Sequence, residues 1–223
     1  MNALKIELNI ALVPDQALGD RLTNWSRDIA KHTKDTQVML DQGEFRLSDA
    51  PHLTLYQVPI FANNLNKLGE RLKNLAHNEK IYELIAANLT YNKGERSLEV
   101  GYENQKRLSD LQRNVIAAAN DLRGDILLER DPARNEVAAL WNAEGELGRN
   151  IRKFGYSEVG SLFRPHATLN WFGPETDFDI VREQNRRDYS QMSGAFPTLD
   201  IFILSSHGRC GQRIASYPLG QAR

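Results

Sequence analysis

A five-residue pattern occurs twice in this chain, as PHLTL at residues 51–55 and as PHATL at residues 165–169. At average residue usage, a given Pro-His-x-Thr-Leu string occurs by chance in roughly one chain in a thousand of this length. A second similarity follows the same 114-residue offset: the strand and turn signals at 82–103 recur at 196–217. The sequence therefore predicts a chain built from two halves of similar layout.

The periodicity of apolar residues predicts the individual elements. Residues 4–12 alternate between apolar and polar side chains, as in a half-buried strand, and Pro14 and Asp15 offer the start of the helix that follows. The further predicted strands cover 37–47, 51–60, 82–91, 96–103, 166–172, 198–206 and 212–219, and the further predicted helices cover 65–75, 105–123 and 145–154. Residues 124–142 contain Pro, Gly and side chains of mixed polarity, and we assign them to no element.

The halves are not separated by a linker or a low-complexity segment. We therefore predict a single domain over residues 1–223 with two lobes, the first motif half at about 1–103 and the second at about 104–223.

The composition excludes some classes of function. The 223 residues carry a formal net charge of −1, which disfavours a protein that covers a long phosphate backbone but permits a short anionic substrate. We expect no membrane association, because no apolar run approaches the roughly 18 residues of a membrane helix. The single cysteine, Cys210, and the absence of a secretory signal predict a cytoplasmic protein, which we expect to be a monomer.

Strict alternation within the motif strands predicts which side chains share a face. The polar set consists of His52, Thr54 and Tyr56 in the first strand and His166, Thr168 and Asn170 in the second. The same alternation turns Trp171 toward the core. If the halves are related by an approximate two-fold axis, the two polar sets face each other across a central cleft.

Two histidines and two threonines around one cavity suit phosphodiester chemistry. In-line displacement at phosphorus needs a base at the entering oxygen and an acid at the leaving oxygen, and the pKa of histidine, near 6.5, allows either role. A threonine hydroxyl can donate to a non-bridging oxygen.

The repeated His-x-Thr-Leu strands, HLTL at 52–55 and HATL at 166–169, resemble the two signature motifs of the two-histidine (2H) phosphoesterase superfamily, which includes the 2'-5' RNA ligase-like and cyclic phosphodiesterase families. The resemblance implies a bilobal α+β fold with antiparallel sheets and flanking helices around a cleft. It also implies cleavage or ligation at RNA 2',3'-cyclic phosphates or 2'-5' linkages without metal or cofactor. His52 and His166 would be the acid and base, and Thr54 and Thr168 would hold the phosphate.

Other interpretations stay open at this stage. A histidine in a strand is usually structural, and only the recurrence of the motif favours catalysis. Tyr56 and Asn170 could bind a base or ribose of an RNA end or small nucleotide, or merely line the cleft. The same cleft could join RNA ends instead of hydrolysing them, or grip a nucleotide without turnover. His207 and Cys210 lack a second ligand pair with zinc-like spacing, so no metal site is predicted.

Overall fold

The computed structural model describes residues 4–32, 51–93, 96–129, 137–173, 179, 181, 183, 188–205 and 209–221. The predicted strand at 37–47 and the His207 position lie outside these residues.

The described chain contains both strands and helices. The strands are β1 (Lys5–Val13), β2 (Leu53–Phe61), β3 (Tyr82–Leu84), β4 (Ala86–Asn92), β5 (Ser97–Tyr102), β6 (His166–Trp171), β7 (Gly194–Phe196), β8 (Thr198–Leu204) and β9 (Cys210–Pro218). The α-helices are α1 (Gln16–His32), α2 (Leu65–Asn78), α3 (Lys106–Arg123), α4 (Val137–Leu140) and α5 (Gly145–Phe154). Short 3-10 helices lie at Ala62–Asn64, Gly160–Leu162 and Tyr189–Met192.

The structure confirms the predicted α+β class and most of the predicted elements. The Asp15 carboxylate caps α1 by accepting a hydrogen bond of 2.8 Å from the backbone N–H of Leu18, as expected for a helix start. One prediction is wrong in detail: residues 82–91 form two short strands instead of one. The first of these, β3, pairs with β7.

The strands form three antiparallel sheets. The four-stranded sheet has the order β2-β1-β8-β9, the three-stranded sheet has the order β4-β5-β6, and β3 pairs with β7 alone. The four-stranded sheet therefore combines strands from both ends of the chain, and the three-stranded sheet combines β4 and β5 of the first predicted half with β6 of the second. The predicted hairpins β4–β5 and β8–β9 are present, and each lies in the same sheet as one motif strand.

The element order repeats when the chain is divided between β4 and β5, near residues 93–96. Each part then runs strand, helix, motif strand, followed by two further strands in the first part and three in the second. Each part gives its last strand or hairpin to the sheet of the other. A lobe built around one sheet therefore does not correspond to one continuous segment of the sequence, because the two parts of the chain exchange strands.

Helices cover one face of each larger sheet. On the four-stranded sheet, α3 packs on β2 and α2 packs on β8 and β9, while α1 packs on β6 of the three-stranded sheet. Apolar residues from both sheets and all three helices form one continuous buried cluster. The opposite face of each sheet carries the motif histidine and threonine.

Candidate functional site

The two motif strands lie next to each other although they belong to different sheets. Cα atoms of β2 and β6 approach within 8 Å. His52 lies just before β2 and His166 begins β6. His52, Thr54, His166 and Thr168 are all partly exposed, whereas the Leu53, Leu55, Ala167 and Leu169 side chains between them are buried. The histidine and threonine of each motif therefore share the less covered side of their strand.

A β-bulge interrupts the alternation of β2 immediately after the motif threonine. Thr54 pairs with Ala11, and Tyr56 pairs with Ile10, so Leu55 is an extra residue with no partner on β1. A bulge of this kind changes which face the following residues occupy.

The same bulge occurs in β6. Thr168 pairs with Glu99 and Asn170 pairs with Leu98, which leaves Leu169 as the extra residue. The bulged leucine is the fifth residue of the PHxTL pattern in both strands. The duplication therefore extends from the sequence to an irregularity of the backbone.

A polar side chain from the covering helix supports each bulge. The Gln112 amide of α3 donates to the carbonyl oxygen of Leu55 at 3.2 Å, and the Ser26 hydroxyl of α1 donates to the carbonyl oxygen of Leu169 at 2.7 Å. These bonds satisfy carbonyl groups that the disrupted ladder leaves available. Gln112 also donates to the carbonyl oxygen of Glu158 at 2.7 Å, which ties the first motif strand to the segment before the second.

The bulge overturns the predicted orientation of Tyr56. The ring is 0% exposed in the core, and its hydroxyl contacts the Phe154 carbonyl oxygen at 2.6 Å and the Asn120 amide oxygen at 3.0 Å. Burial is the main cause that raises the pKa of Tyr56 far above its ordinary value. Tyr56 therefore faces α3 and not the cleft, because one extra residue reverses the alternation.

The predicted orientation of Asn170 is wrong for the same reason. Asn170 is 0% exposed and donates to the backbone carbonyl of Ser26 in α1 at 3.2 Å. Trp171 pairs with Ser97, on the face that carries Glu99 and Thr168, so it shares the motif face instead of the core. In β2 the corresponding change brings Gln57 to the motif face, opposite Asn9.

His52 lies near an aromatic ring, Phe202, that is followed on the four-stranded sheet by an ion pair, Arg213–Asp200. Its ring centroid is 6.5 Å from that of Phe202, and the Arg213 guanidinium lies 5.6 Å from the Phe202 centroid on the same face. Arg213 Nε is 3.0 Å from the Asp200 carboxylate, which is completely buried. A half-exposed cation therefore borders the His52 side of the site.

Thr54 is held by a neighbour on β1. The Asn9 amide donates to Thr54 Oγ1 at 3.2 Å and contacts the buried Cys210 sulfur at 3.5 Å. Since the Asn9 amide is the donor, the Thr54 hydroxyl hydrogen can be directed to another acceptor. A phosphate oxygen is an acceptor of the required kind.

His166 lies in an acidic environment in the three-stranded sheet. Its Nδ1 is 2.6 Å from the Arg164 carbonyl oxygen, which can only accept, so Nδ1 carries the proton and Nε2 remains for chemistry. The Arg164 guanidinium lies 3.3 Å from the Glu99 carboxylate and 2.7 Å from the Glu158 carboxylate.

These charges act on the proton affinity of His166. Burial lowers the pKa of His166, but the Glu99 and Glu158 carboxylates and the hydrogen bond to the Arg164 carbonyl outweigh burial and the Arg164 charge. The net effect raises the pKa of His166 above its ordinary value.

Sequence reasoning missed the polar residues that support the motifs from neighbouring strands: Asn9, Glu99, Asp200 and Arg213. A signal was present in SLEVGY and TLDIFIL, where one carboxylate interrupts each apolar strand. A charge inside such a strand indicates a paired or functional group, since its burial alone is costly.

Two further classes of site are not found in the part of the chain that the structure describes. No group of three or more His, Cys, Asp or Glu side chains there could hold a metal ion. None of the described helices is long and apolar enough to cross a membrane.

Comparison with known proteins identifies the fold. The structure of E. coli LigT complexed with 3'-AMP has a TM-score of 0.58 and 14% sequence identity, covering 98% of this chain and 100% of that chain. A structure described as a phosphoesterase has a TM-score of 0.59 and 13% identity, again covering 98% and 100%. No family model and no curated protein matches the sequence. At these identities the likeness concerns the fold: the chain has a fold similar to those of E. coli LigT and of the second structure, as the resemblance of the two motifs implied.

Proposed function

We propose that the protein is a 2H phosphoesterase that opens 2',3'-cyclic phosphates or cleaves 2'-5' phosphodiesters of RNA ends or small nucleotides without metal. One observation carries the proposal: the two His-x-Thr motifs occupy adjacent strands and are shaped by the same supported bulge. A structural role for one histidine would not require this repetition.

His52 and His166 are the acid and base in this proposal. During the opening of a cyclic phosphate, water attacks phosphorus and gives its proton to one histidine as the new P–O bond forms. The other histidine protonates the ribose oxygen as its bond to phosphorus breaks. Thr54 and Thr168 donate hydrogen bonds to the non-bridging oxygens, whose charge increases in the transition state.

Trp171 takes the place that the sequence alone assigned to Tyr56 and Asn170. It is partly exposed on the face of His166 and Thr168, so a nucleobase of the substrate can stack on its ring. Arg213 supplies positive charge on the His52 side. Substrate binding in this proposal therefore rests on residues of β6 and β9.

RNA end joining is a second candidate, supported by the likeness to E. coli LigT, a 2'-5' RNA ligase. The same acid and base serve both directions of the reaction, so the substrate supplied decides between them.

One substrate panel tests the proposal. The purified protein is incubated with 2',3'-cyclic mononucleotides, 2'-5' oligoadenylate and RNA carrying a cyclic phosphate end, each with and without EDTA. We expect product in at least one arm at a rate that EDTA does not change, with the phosphate position assigned by NMR. Tight binding of a cyclic nucleotide without product would indicate a binding module, and activity abolished by EDTA would contradict the metal-independent mechanism.

A further inference from the structure

The charged groups beside His166 form a connected network that continues beyond the motif. The Arg164 guanidinium bridges two carboxylates, Glu99 on β5 and Glu158 in the segment before β6. The backbone carbonyl of the same arginine accepts the hydrogen bond from His166 Nδ1. One residue therefore joins the imidazole to both acidic side chains.

Glu99 is anchored from several sides. It is 1% exposed, and the Ser97 hydroxyl donates to its carboxylate at 2.6 Å. It also pairs with Thr168 across β5 and β6, so it lies directly beside the motif. A buried carboxylate held in this way is a fixed negative charge.

The charges do not cancel around His166. Glu99 and Glu158 contribute two negative charges, and Arg164 contributes one positive charge. The remaining negative charge favours the imidazolium form of His166. On the His52 side, Asp200 and Arg213 form an ion pair whose charges oppose each other.

We propose that Glu99, Arg164 and Glu158 are positioning residues that hold His166 with Nε2 toward the substrate and favour its protonated form, so that His166 is the general acid when water opens the cyclic phosphate. His52 then accepts the proton of the attacking water. Nε2 of His166 donates its proton to the ribose oxygen as the P–O bond breaks. The assignment of acid and base rests on the proposed function, whereas the charge network stands on the structure alone.

Substitutions that remove either a negative or a positive charge test the network. Glu158→Gln and Glu99→Gln each remove a negative charge near His166, and Arg164→Met removes the positive charge. We expect the glutamine variants to move the titration of His166, followed by NMR of its ring nitrogens, to lower pH, and Arg164→Met to move it to higher pH. The alkaline limb of the kcat/KM profile for cyclic nucleotide hydrolysis shifts in the same directions, because that limb reports loss of the acid's proton.

Controls separate positioning from folding. Glu83→Gln removes an exposed carboxylate on β3 and should leave both the titration and the activity unchanged. If Glu99→Gln fails to fold, Glu158→Gln provides the test of the network. The Glu158 side chain is 15% exposed, so its substitution disturbs the core less. As positioning residues, the three act through His166, so the proposal expects kcat to fall while KM stays near the wild-type value.

The charge network and the proposed function can be disproved independently. If the protein hydrolyses cyclic nucleotides but His166 titrates identically in all three variants, or moves in one direction in all of them, the network is overturned and the function stands. If no activity is found while the titrations move in opposite directions as expected, the network stands and the catalytic assignment falls.

Discussion

His52 immediately precedes β2, and His166 is the first residue of β6. The two histidines have equivalent places in their motifs, yet the groups around them differ. Phe202 and the compensated Asp200–Arg213 pair border His52, whereas Glu99 and Glu158 raise the pKa of His166. The duplicated sequence and bulge thus place the two histidines in similar positions with different electrostatic surroundings. A difference of this kind favours one assignment of acid and base over the other.

The largest expected effect comes from removing either histidine. A substrate with a better leaving group then distinguishes the acid from the base. His52→Ala and His166→Ala should each lower kcat/KM for a 2',3'-cyclic nucleotide by about 100- to 10,000-fold. For a 2'-deoxynucleoside 3'-(p-nitrophenyl phosphate), nitrophenolate leaves without a proton. The activity of His166→Ala should therefore recover much more than that of His52→Ala. Recovery of His52→Ala instead would reverse the assignment of acid and base.

The threonines should contribute less than the histidines and equally in both motifs. Thr54→Val and Thr168→Val remove one donor to the phosphate, and loss of one such donor costs about 100- to 1,000-fold in kcat. Thr23→Val on α1 makes the same chemical change at a partly exposed helix position and serves as the control. Steady-state kinetics with a cyclic nucleotide measure the effect. Unchanged kcat in both motif variants would remove the threonines from the site.

Tyr56 and Trp171 should separate stability from activity, since the bulges place one in the core and the other on the motif face. Trp171→Ala should raise KM about tenfold, because stacking on a base contributes about 1–3 kcal/mol. Tyr56→Phe should lower the free energy of unfolding by about 1–3 kcal/mol, by removing a buried hydrogen bond, with little change in kcat. Thermal melts and kinetics on both variants check this. The opposite pattern would mean that the strands alternate without bulges.

The smallest expected effect concerns the buried carboxylate on the His52 side. Burial raises the pKa of Asp200 above its ordinary value, and Ser216, Thr198 and Arg213 offset only part of this. Such a group penalises the folded state once it is ionised, so the penalty grows as pH rises from the ordinary carboxyl range through the folded pKa. Asp200→Asn should therefore be more favourable to Tm at pH 7 than near pH 3, where the wild-type carboxyl is largely protonated. A change in Tm that is the same at both pH values, or less favourable at pH 7, would contradict the direction of the shift.

The sequence predicted those parts of the fold that depend on local periodicity. Alternation in β1 and helical spacing in α2 and α3 identified these elements correctly, because each buries one continuous apolar face. The exchange of strands between halves was not predictable, because the partner of a strand is set by long-range packing. The pairing of β3 with β7 is a product of the same packing.

The candidate site was predictable only up to the motif threonines. His52, Thr54, His166 and Thr168 precede the bulges, so simple alternation describes them correctly. Tyr56, Asn170 and Trp171 follow the bulges, and an extra residue is visible only when the partner strand is known. Glu99 could be recognised as an anomaly in its strand, but its role beside Thr168 depends on the pairing of β5 with β6.

The most direct test of the shared site is the activity of the double variant His52→Ala/His166→Ala compared with the two single variants. Residues that act in one step are non-additive, so we predict that the double variant loses little more kcat/KM for cyclic nucleotide hydrolysis than the worse single variant. Equal thermal melts would show that all three variants are folded. Full activity in either single variant, or losses that multiply in the double variant, would contradict a single two-histidine site.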